Sequence, residues 1–323
     1  MCTSVRFTSK NGSMYLGRNL DWGCGYGERV RVMPKGFLVR YRFLDDAPSA
    51  HAVIGMCVDF QNLPMFFDCG NDAGLAVAGL NFPGFAEYAE GPAETGRNVC
   101  AYELPMWIAA SFSSVDEVVA ALEGTTVVGV PAGEGLGVSY LHWIVGDATR
   151  SIVIECRADG MHVLDDPVDV LANQPSLEWH LENLRSYITA TSDAPAPAKW
   201  RRAELAPYGA GAGMRGIPGD SYSPSRFVKA AFLNANYPDK ESEHDNVIRM
   251  FRTLEGVAMV EGSARMTNGD LEKTLYTSCF SAETGCYYYN TYEDLAIRCV
   301  SLADAEGAPV DKLVCPDPVR IDG

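Results

Sequence analysis

The chain has 323 residues, of which 47% are hydrophobic and 21% charged, and carries a formal net charge of −16 at neutral pH. That composition is ordinary for a globular protein, and a chain of this length buries roughly 75% of its unfolded surface, enough for a large core. So strong an acidic balance repels phosphate backbones, which argues against a nucleic-acid partner, and an anionic substrate would need locally placed arginines.

No segment approaches the roughly 18 apolar residues that would suggest a membrane span. No basic region followed by an apolar stretch opens the chain, so no signal peptide is expected and a cytoplasmic location is. The chain has ten cysteines but no C-x-x-C, and His51, His142, His162, His180 and His244 stand apart from them. Reduced thiols fit this pattern better than a structural metal, and no metal or organic cofactor is expected.

In chain order, the first third reads as β-structure. "CTSVRFTS", "SMYLGRNL", "RVRVMPKGFLVRYRF", "AHAVIGMCV" and "GLAVAGLNF" are short apolar or alternating runs divided by Gly, Asn and Pro. "VCAYELPMWIAASF" predicts a helical block, and "SSVDEVVAALEG" a second helix with the capping-box pair Ser114 and Glu117 and a stop at Gly124. Strands return at "TTVVGV", "VSYLHWIVGD" and "RSIVIEC", the last behind a turn at Asp147–Arg150. "LEWHLENLRSYI" is an amphipathic helix. "SPSRFVKAAFLNANY" is another, with Ser223 as N-cap and Pro224 at its first position. "SEHDNVIRMFRTLEGV" is a further helix, and "LYTSCFSAE" and "CYYYNTY" are strands. The Pro/Ala and glycine-rich stretch 191–220 is the one candidate boundary, but strand material lies on both sides of it. The expectation is a single domain over 1–323, a layered α+β fold with helices outside packed sheets, and 191–220 as an extended loop or hairpin.

Cys2 can become the N-terminal residue after methionine removal. It would then carry a thiol and a free α-amine on one Cα, and an α-amine titrates near 8, so part of it is basic at neutral pH. An ordinary residue that happens to be second is the plain alternative. "GRNLDW" puts Arg18 and Asp21 on the next strand, where a hairpin would bring them to Cys2. A cation there favours a thiolate, and a carboxylate could orient an amine. Asn81, at the end of an apolar strand, and Asn173, before a turn, read by themselves first as turn residues, with amide donation to an oxyanion as the alternative. Arg226, one turn into a helix, faces either solvent or the site. The literal G-x-G-x-x-G at Gly211, Gly213 and Gly216 lacks the strand before it and the helix within it that phosphate binding requires, so it reads as a loop.

Taken together, "MCT", "GRNLDW", "GLNFPGFAEY", "LANQPSLEWHL" and "GIPGDSYSPSRFVKAAF" resemble the choloylglycine hydrolase family, which includes bile salt hydrolases and penicillin V acylases. The likeness runs over essentially the whole chain, and the motifs in this order are specific. The resemblance implies the four-layer αββα sandwich of N-terminal-nucleophile hydrolases, usually a homotetramer. It also implies an amidase that cleaves glycine- and taurine-conjugated bile acids, with penicillin V or acyl-homoserine-lactone cleavage, or non-catalytic lipid binding, as alternatives. By motif, Cys2 resembles the nucleophile with its own α-amine as base, Arg18 and Asp21 the flanking pair, Asn81 and Asn173 the oxyanion positions, and Arg226 the arginine facing the nucleophile. Asn at position 81 points to the bile salt branch. Leu20, Trp22, Tyr26, Phe60 and Met65 lie on stretches resembling the family's pocket loops, and the glycines of "YGAGAG" suggest a taurine preference. Met214 and Arg215 depart from the family pattern, and Cys24 has no role that the pattern assigns.

Overall fold

The computed structural model describes residues 1–60 and 63–321. The chain opens with strands β1 (Cys2–Thr8), β2 (Met14–Trp22), β3 (Arg29–Met33), β4 (Val53–Phe60), β5 (Leu63–Asn71) and β6 (Ala76–Asn81). Helices α1 (Leu104–Ser111) and α2 (Val115–Leu122) follow, then strands β7 (Leu141–Gly146), β8 (Ser151–Arg157), β9 (Gly160–Asp165) and β10 (Val170–Leu171). Helices α3 (Leu177–Asn183), α4 (Ser223–Asn236) and α5 (Glu243–Glu255) come next. Strands β11 (Leu271–Ser281), β12 (Cys286–Thr291), β13 (Arg298–Ser301) and β14 (Val319–Arg320) complete the principal elements.

Two antiparallel sheets carry the fold. One runs β10-β1-β2-β11-β12-β13-β14, with a short strand at Ala264–Arg265 pairing onto β11; the other runs β9-β8-β7-β6-β5-β4-β3. The two-residue period of the strands sorts their side chains between two cores. Ala76, Ala78 and Leu80 of β6, Ile144 of β7 and Val153 of β8 join Val5, Leu16, Tyr276 and Phe280 of the first sheet, and the same core takes in Phe227 and Met250 of α4 and α5. The alternate residues Val77, Trp143, Val145, Ile152 and Ile154 face the other way, onto Trp107 and Ile108 of α1 and Val115 and Val118 of α2. The layers are therefore helix, sheet, sheet, helix, the αββα order that the sequence motifs implied.

Several local expectations need correction. The block expected to be helical from Val99 begins as strand Arg97–Cys100, which pairs in parallel with Thr125–Val128, and the helix proper starts at Leu104. Ser114 does cap α2, accepting from the Glu117 N–H at 3.3 Å, but Glu117 returns its carboxylate to the Ser113 N–H at 2.7 Å, so the box is shifted by one residue. Ser223 is not the cap of α4: it is the first helical residue and Pro224 the second. Asp220 takes over the entry, accepting from the Tyr222 N–H and from the Ser225 hydroxyl, each at 2.9 Å. The helix expected over 177–188 is α-helical only to Asn183 and then tightens to a 3₁₀ turn over Leu184–Tyr187. Within 191–220 the strands Ala198–Trp200 and Ala203–Leu205 form an exposed two-stranded hairpin. The glycine motif there holds a 3₁₀ turn (Ala212–Met214) between Gly211 and Gly216, both at positive φ, with no strand–helix cradle.

Candidate active site

Cys2 stands at the start of β1, opposite Leu20 in the β1–β2 ladder, and is 3% exposed. Arg18 lies two residues back on β2, diagonal to Cys2 on the face between the sheets. It is fully buried, and its Nη2 donates to Cys2 Sγ at 2.7 Å. Nη1 is held by the second sheet, donating to the Gly79 carbonyl at 2.6 Å and the Phe67 carbonyl at 3.2 Å. Burial works against the guanidinium charge, yet neighbouring Cys2, Tyr276, Asp68 and Tyr287 hold Arg18 above its ordinary value. A cation fixed this way stabilises a thiolate.

The opposite face of β1 and β2 looks at α4. With Met1 in place, the Cys2 nitrogen is a peptide N–H that donates to Asn173 Oδ1 at 2.7 Å. Asn173 follows β10, and its carboxamide is oriented from both ends. Its Oδ1 also accepts from Arg226 Nη2 at 2.7 Å, and its Nδ2 donates to the Asn81 carbonyl at 2.6 Å. A carboxamide nitrogen carries two hydrogens, so one remains for an incoming acceptor. Arg226 also bonds the Cys2 carbonyl and the Thr3 hydroxyl, and its Nε donates to the Ser221 carbonyl at 3.0 Å.

Asp21, fully buried, accepts from the Thr274 hydroxyl at 2.6 Å through Oδ1, whereas Oδ2 has no hydrogen-bond partner and lies 3.8 Å from Arg226 Nη1. Burial pushes this carboxyl up, and Arg226, the N-terminal ammonium and Thr274 pull it back. Burial likewise pulls Arg226 down against the opposing pull of Asp21 and Cys2. Met1 extends the ladder by one rung: the Asp21 N–H donates to its carbonyl at 2.8 Å, and its ammonium bonds the Asp21 carbonyl and pairs with Glu272.

The six residues expected to be catalytic therefore converge, with one qualification on how. Asn81 meets the cluster through its backbone carbonyl. The five expected pocket residues are more spread. Leu20 is buried beside Cys2, and Trp22, Phe60 and Met65 are half-buried. The exposed Tyr26 ring packs 5.6 Å from Phe67, the residue whose carbonyl holds Arg18. A Cβ on Gly133 would strike the Phe60 ring, so that loop lies against Phe60.

Sequence reasoning missed several residues. His180 of α3 is fully buried, stacks on Phe227 at 4.4 Å and contacts the Asn173 carbonyl through Nε2 at 2.9 Å. A carbonyl only accepts, so Nε2 carries the proton; burial pulls this imidazole down to about 4, keeping it a neutral donor near pH 7. Thr3, Thr274 and Asp68 were equally silent, since isolated Thr and Asp in strands carry no spacing signal. Among the described residues no group of three or more His, Cys, Asp or Glu could hold a metal ion.

A buried thiol at a chain start, under a fixed arginine and beside an oriented carboxamide, is equipped for acyl transfer. Comparison with known proteins points the same way. Residues 2–317 match the family model of linear amide C–N hydrolases, choloylglycine hydrolase family. A bile salt hydrolase/transferase of Bifidobacterium longum subsp. longum is 50% identical over 94% of this chain and 96% of its own length. A conjugated bile acid hydrolase of Lactobacillus gasseri is 41% identical over 97% and 99%. Among solved structures, the R18L variant of the conjugated bile acid hydrolase of Clostridium perfringens superposes with a TM-score of 0.89 at 32% identity, covering 99% of this chain and 97% of that one. Penicillin V acylase of Agrobacterium tumefaciens shares the fold, with a TM-score of 0.73 at 17% identity over 93% and 86%. With the family model spanning nearly the whole chain and relatives at up to half identity, the protein is a member of the choloylglycine hydrolase family of linear amide hydrolases.

Proposed function

We propose that the protein is a cysteine N-terminal-nucleophile amidase that cleaves glycine- and taurine-conjugated bile acids to the free bile acid and the amino acid. The observation that carries this is Cys2 Sγ under Arg18 Nη2 while the Cys2 nitrogen faces the Asn173 carboxamide, with the unpartnered Asp21 oxygen in the same cluster. Removal of Met1 would convert that nitrogen from an amide without a basic lone pair into an α-amine. The amine takes the thiol proton, and the thiolate adds to the substrate carbonyl. The oxyanion receives the free N–H of Asn173 Nδ2, with Asn81 beside it. Collapse breaks the C–N bond as the α-ammonium returns the proton to the leaving amine. Water, deprotonated by the same amine, then hydrolyses the thioester and restores the thiol. Arg18 holds the thiolate, Asp21 orients the α-amine, and Arg226 fixes Asn173 and the β1 backbone.

Conjugated bile acids are the proposed substrates because the relatives bear the names bile salt hydrolase/transferase and conjugated bile acid hydrolase. Leu20, Trp22, Tyr26, Phe60 and Met65 would offer the apolar wall for the steroid. We further propose a modest taurine preference, supported by the glycines of the loop around Gly209 and Gly211, which carry no side chain. We also propose a single domain, a cytoplasmic location and a homotetramer without metal or organic cofactor. No helix among the described residues is long and apolar enough to cross a membrane, and Trp200 and Leu205 stand exposed on the hairpin within 191–220, with Tyr208 just beyond it, as an assembly surface would require. Released amine measured with taurocholate, glycocholate and penicillin V tests the reading. Bile salts should be cleaved fastest, and faster turnover of penicillin V would overturn the substrate class.

A further inference from the structure

Near Arg18 lies a buried carboxylate that the chemistry above does not use. Asp68 of β5 is 3% exposed and reaches from the second sheet to the first. Three hydroxyls converge on it: Tyr276 on Oδ1 at 2.6 Å, and Ser278 at 2.8 Å and Tyr287 at 2.6 Å on Oδ2. Ser278 is the direct cross-strand partner of Arg18, and Tyr276 is the partner of Leu20, which itself pairs with Cys2. The residue next to Asp68, Phe67, gives its carbonyl to Arg18. Cys2, Arg18, Asp68 and the two tyrosines thus form one buried polar patch between the sheets. Burial pushes the Asp68 carboxyl up, while Arg18 and the three hydroxyl donors pull it back towards its charged form, and a buried guanidinium without a counter-charge would be costly.

We propose that Asp68 is a positioning residue for the reaction: it is the second counter-charge of Arg18, sharing that cation with Cys2 Sγ and thereby setting how much of its charge is left to hold a thiolate. The proposal rests on Cys2 being the nucleophile. It has a directional consequence. Remove the Asp68 charge, and less of the Arg18 charge is offset before the thiolate forms against it, so the thiolate forms more readily; remove Arg18, and it forms less readily. The other charged or titratable groups around Cys2 are Asp21 on β2, Arg226 on α4, the N-terminal amine, Tyr276 on β11 and Tyr26 beyond β2. Of these, Tyr276 bonds Asp68 directly, and burial with the Asp68 charge holds it as a neutral phenol, which Asp68→Asn leaves neutral; Cys69, the titratable neighbour of Asp68 in sequence, is held as a thiol by burial.

The test measures the rate of Cys2 carboxamidomethylation by iodoacetamide against pH on the full-length mature protein, with the modified site read by peptide mass spectrometry. Asp68→Asn keeps the side-chain shape and should move the midpoint of the profile down by about one pH unit. A less basic thiolate is a weaker nucleophile, with a Brønsted slope of about 0.4–0.5, so the plateau rate should fall about threefold. Arg18→Leu should move the midpoint up. Tyr287→Phe removes one donor while leaving the core volume intact; a carboxylate with fewer donors presents more of its charge to Arg18, so the midpoint should move up, and the variant keeps the proposal testable should Asp68→Asn fail to fold. A midpoint unchanged or raised in Asp68→Asn, or unchanged or lowered in Tyr287→Phe, would overturn the proposal. Because alkylation needs no turnover, this outcome is separable from failure of the amidase reading, which a fully active Cys2→Ser enzyme would reveal.

Discussion

Replacing Arg226 with methionine tests whether the site is held together by charge. Methionine keeps the length and apolar stem, so the change is confined to the guanidinium. That group lies 3.8 Å from Asp21 Oδ2, and both residues are almost fully buried. At an effective dielectric constant of 20 the pair is worth about 4 kcal/mol, which agrees with the ~3–5 kcal/mol lost when one member of a buried pair is removed. Asn173 Oδ1 loses one of its two donors in the same step. Burial already holds Asp21 above the usual carboxylate range, and without Arg226 it rises further. A carboxyl whose folded value exceeds its unfolded value binds more protons when folded, so stability falls as pH rises through that interval. Equilibrium unfolding in guanidinium chloride should therefore show Arg226→Met less stable by about 3–5 kcal/mol at pH 8 and by clearly less at pH 5. Adding Asp21→Asn removes the stranded charge, and the double variant should recover part of the loss at pH 8. A cost under about 1 kcal/mol, no difference between the two pH values, or a double variant weaker than the single one would refute the reasoning.

Cys2→Ser should fold normally and lose nearly all amidase activity, because an alcohol is a far weaker nucleophile than a thiol at neutral pH; intact-mass spectrometry of active protein should find the chain beginning at Cys2. Asp166 is buried beside Asp169, and burial with that neighbouring charge pushes it up to about 8, with Oδ2 unpartnered. Stability from this group should decline between about pH 4 and pH 8, and Asp166→Asn should flatten that decline and be the more stable form at pH 9 in thermal unfolding. At Gly70 an added Cβ would sit 2.4 Å from a Phe280 ring carbon, so Gly70→Ala should destabilise by about 1–3 kcal/mol in denaturant melts through overpacking between the sheets.

Much of this protein was legible in its sequence because the governing physics is local. The alternation in "GLAVAGLNF" and "RSIVIEC" states which residues face which core, since successive side chains of a strand point to opposite faces. Cys2 is conspicuous by position alone, and the motifs around Arg18, Asp21, Asn173 and Arg226 have an order that specifies a family. Short-range chemistry misled only at element ends. Ser223 has the look of a cap, but Asp220 takes the turn instead. Cys100 lies in a strand because Thr125–Val128 is there to pair with it.

What the tertiary structure decided is which polar groups share a burial site. Asp68 and Tyr287 are 219 positions apart and Cys2 and Arg226 are 224 apart; no periodicity connects them. His180 behind Asn173 and the Asn81 carbonyl on its Nδ2 follow from where α3 and β6 come to lie, not from their own residue types. The energies of such groups depend on the water and the charges that folding removes or brings near. The same arginine is a surface cation in the open chain and an anchor of the site once two sheets and a helix have closed over it.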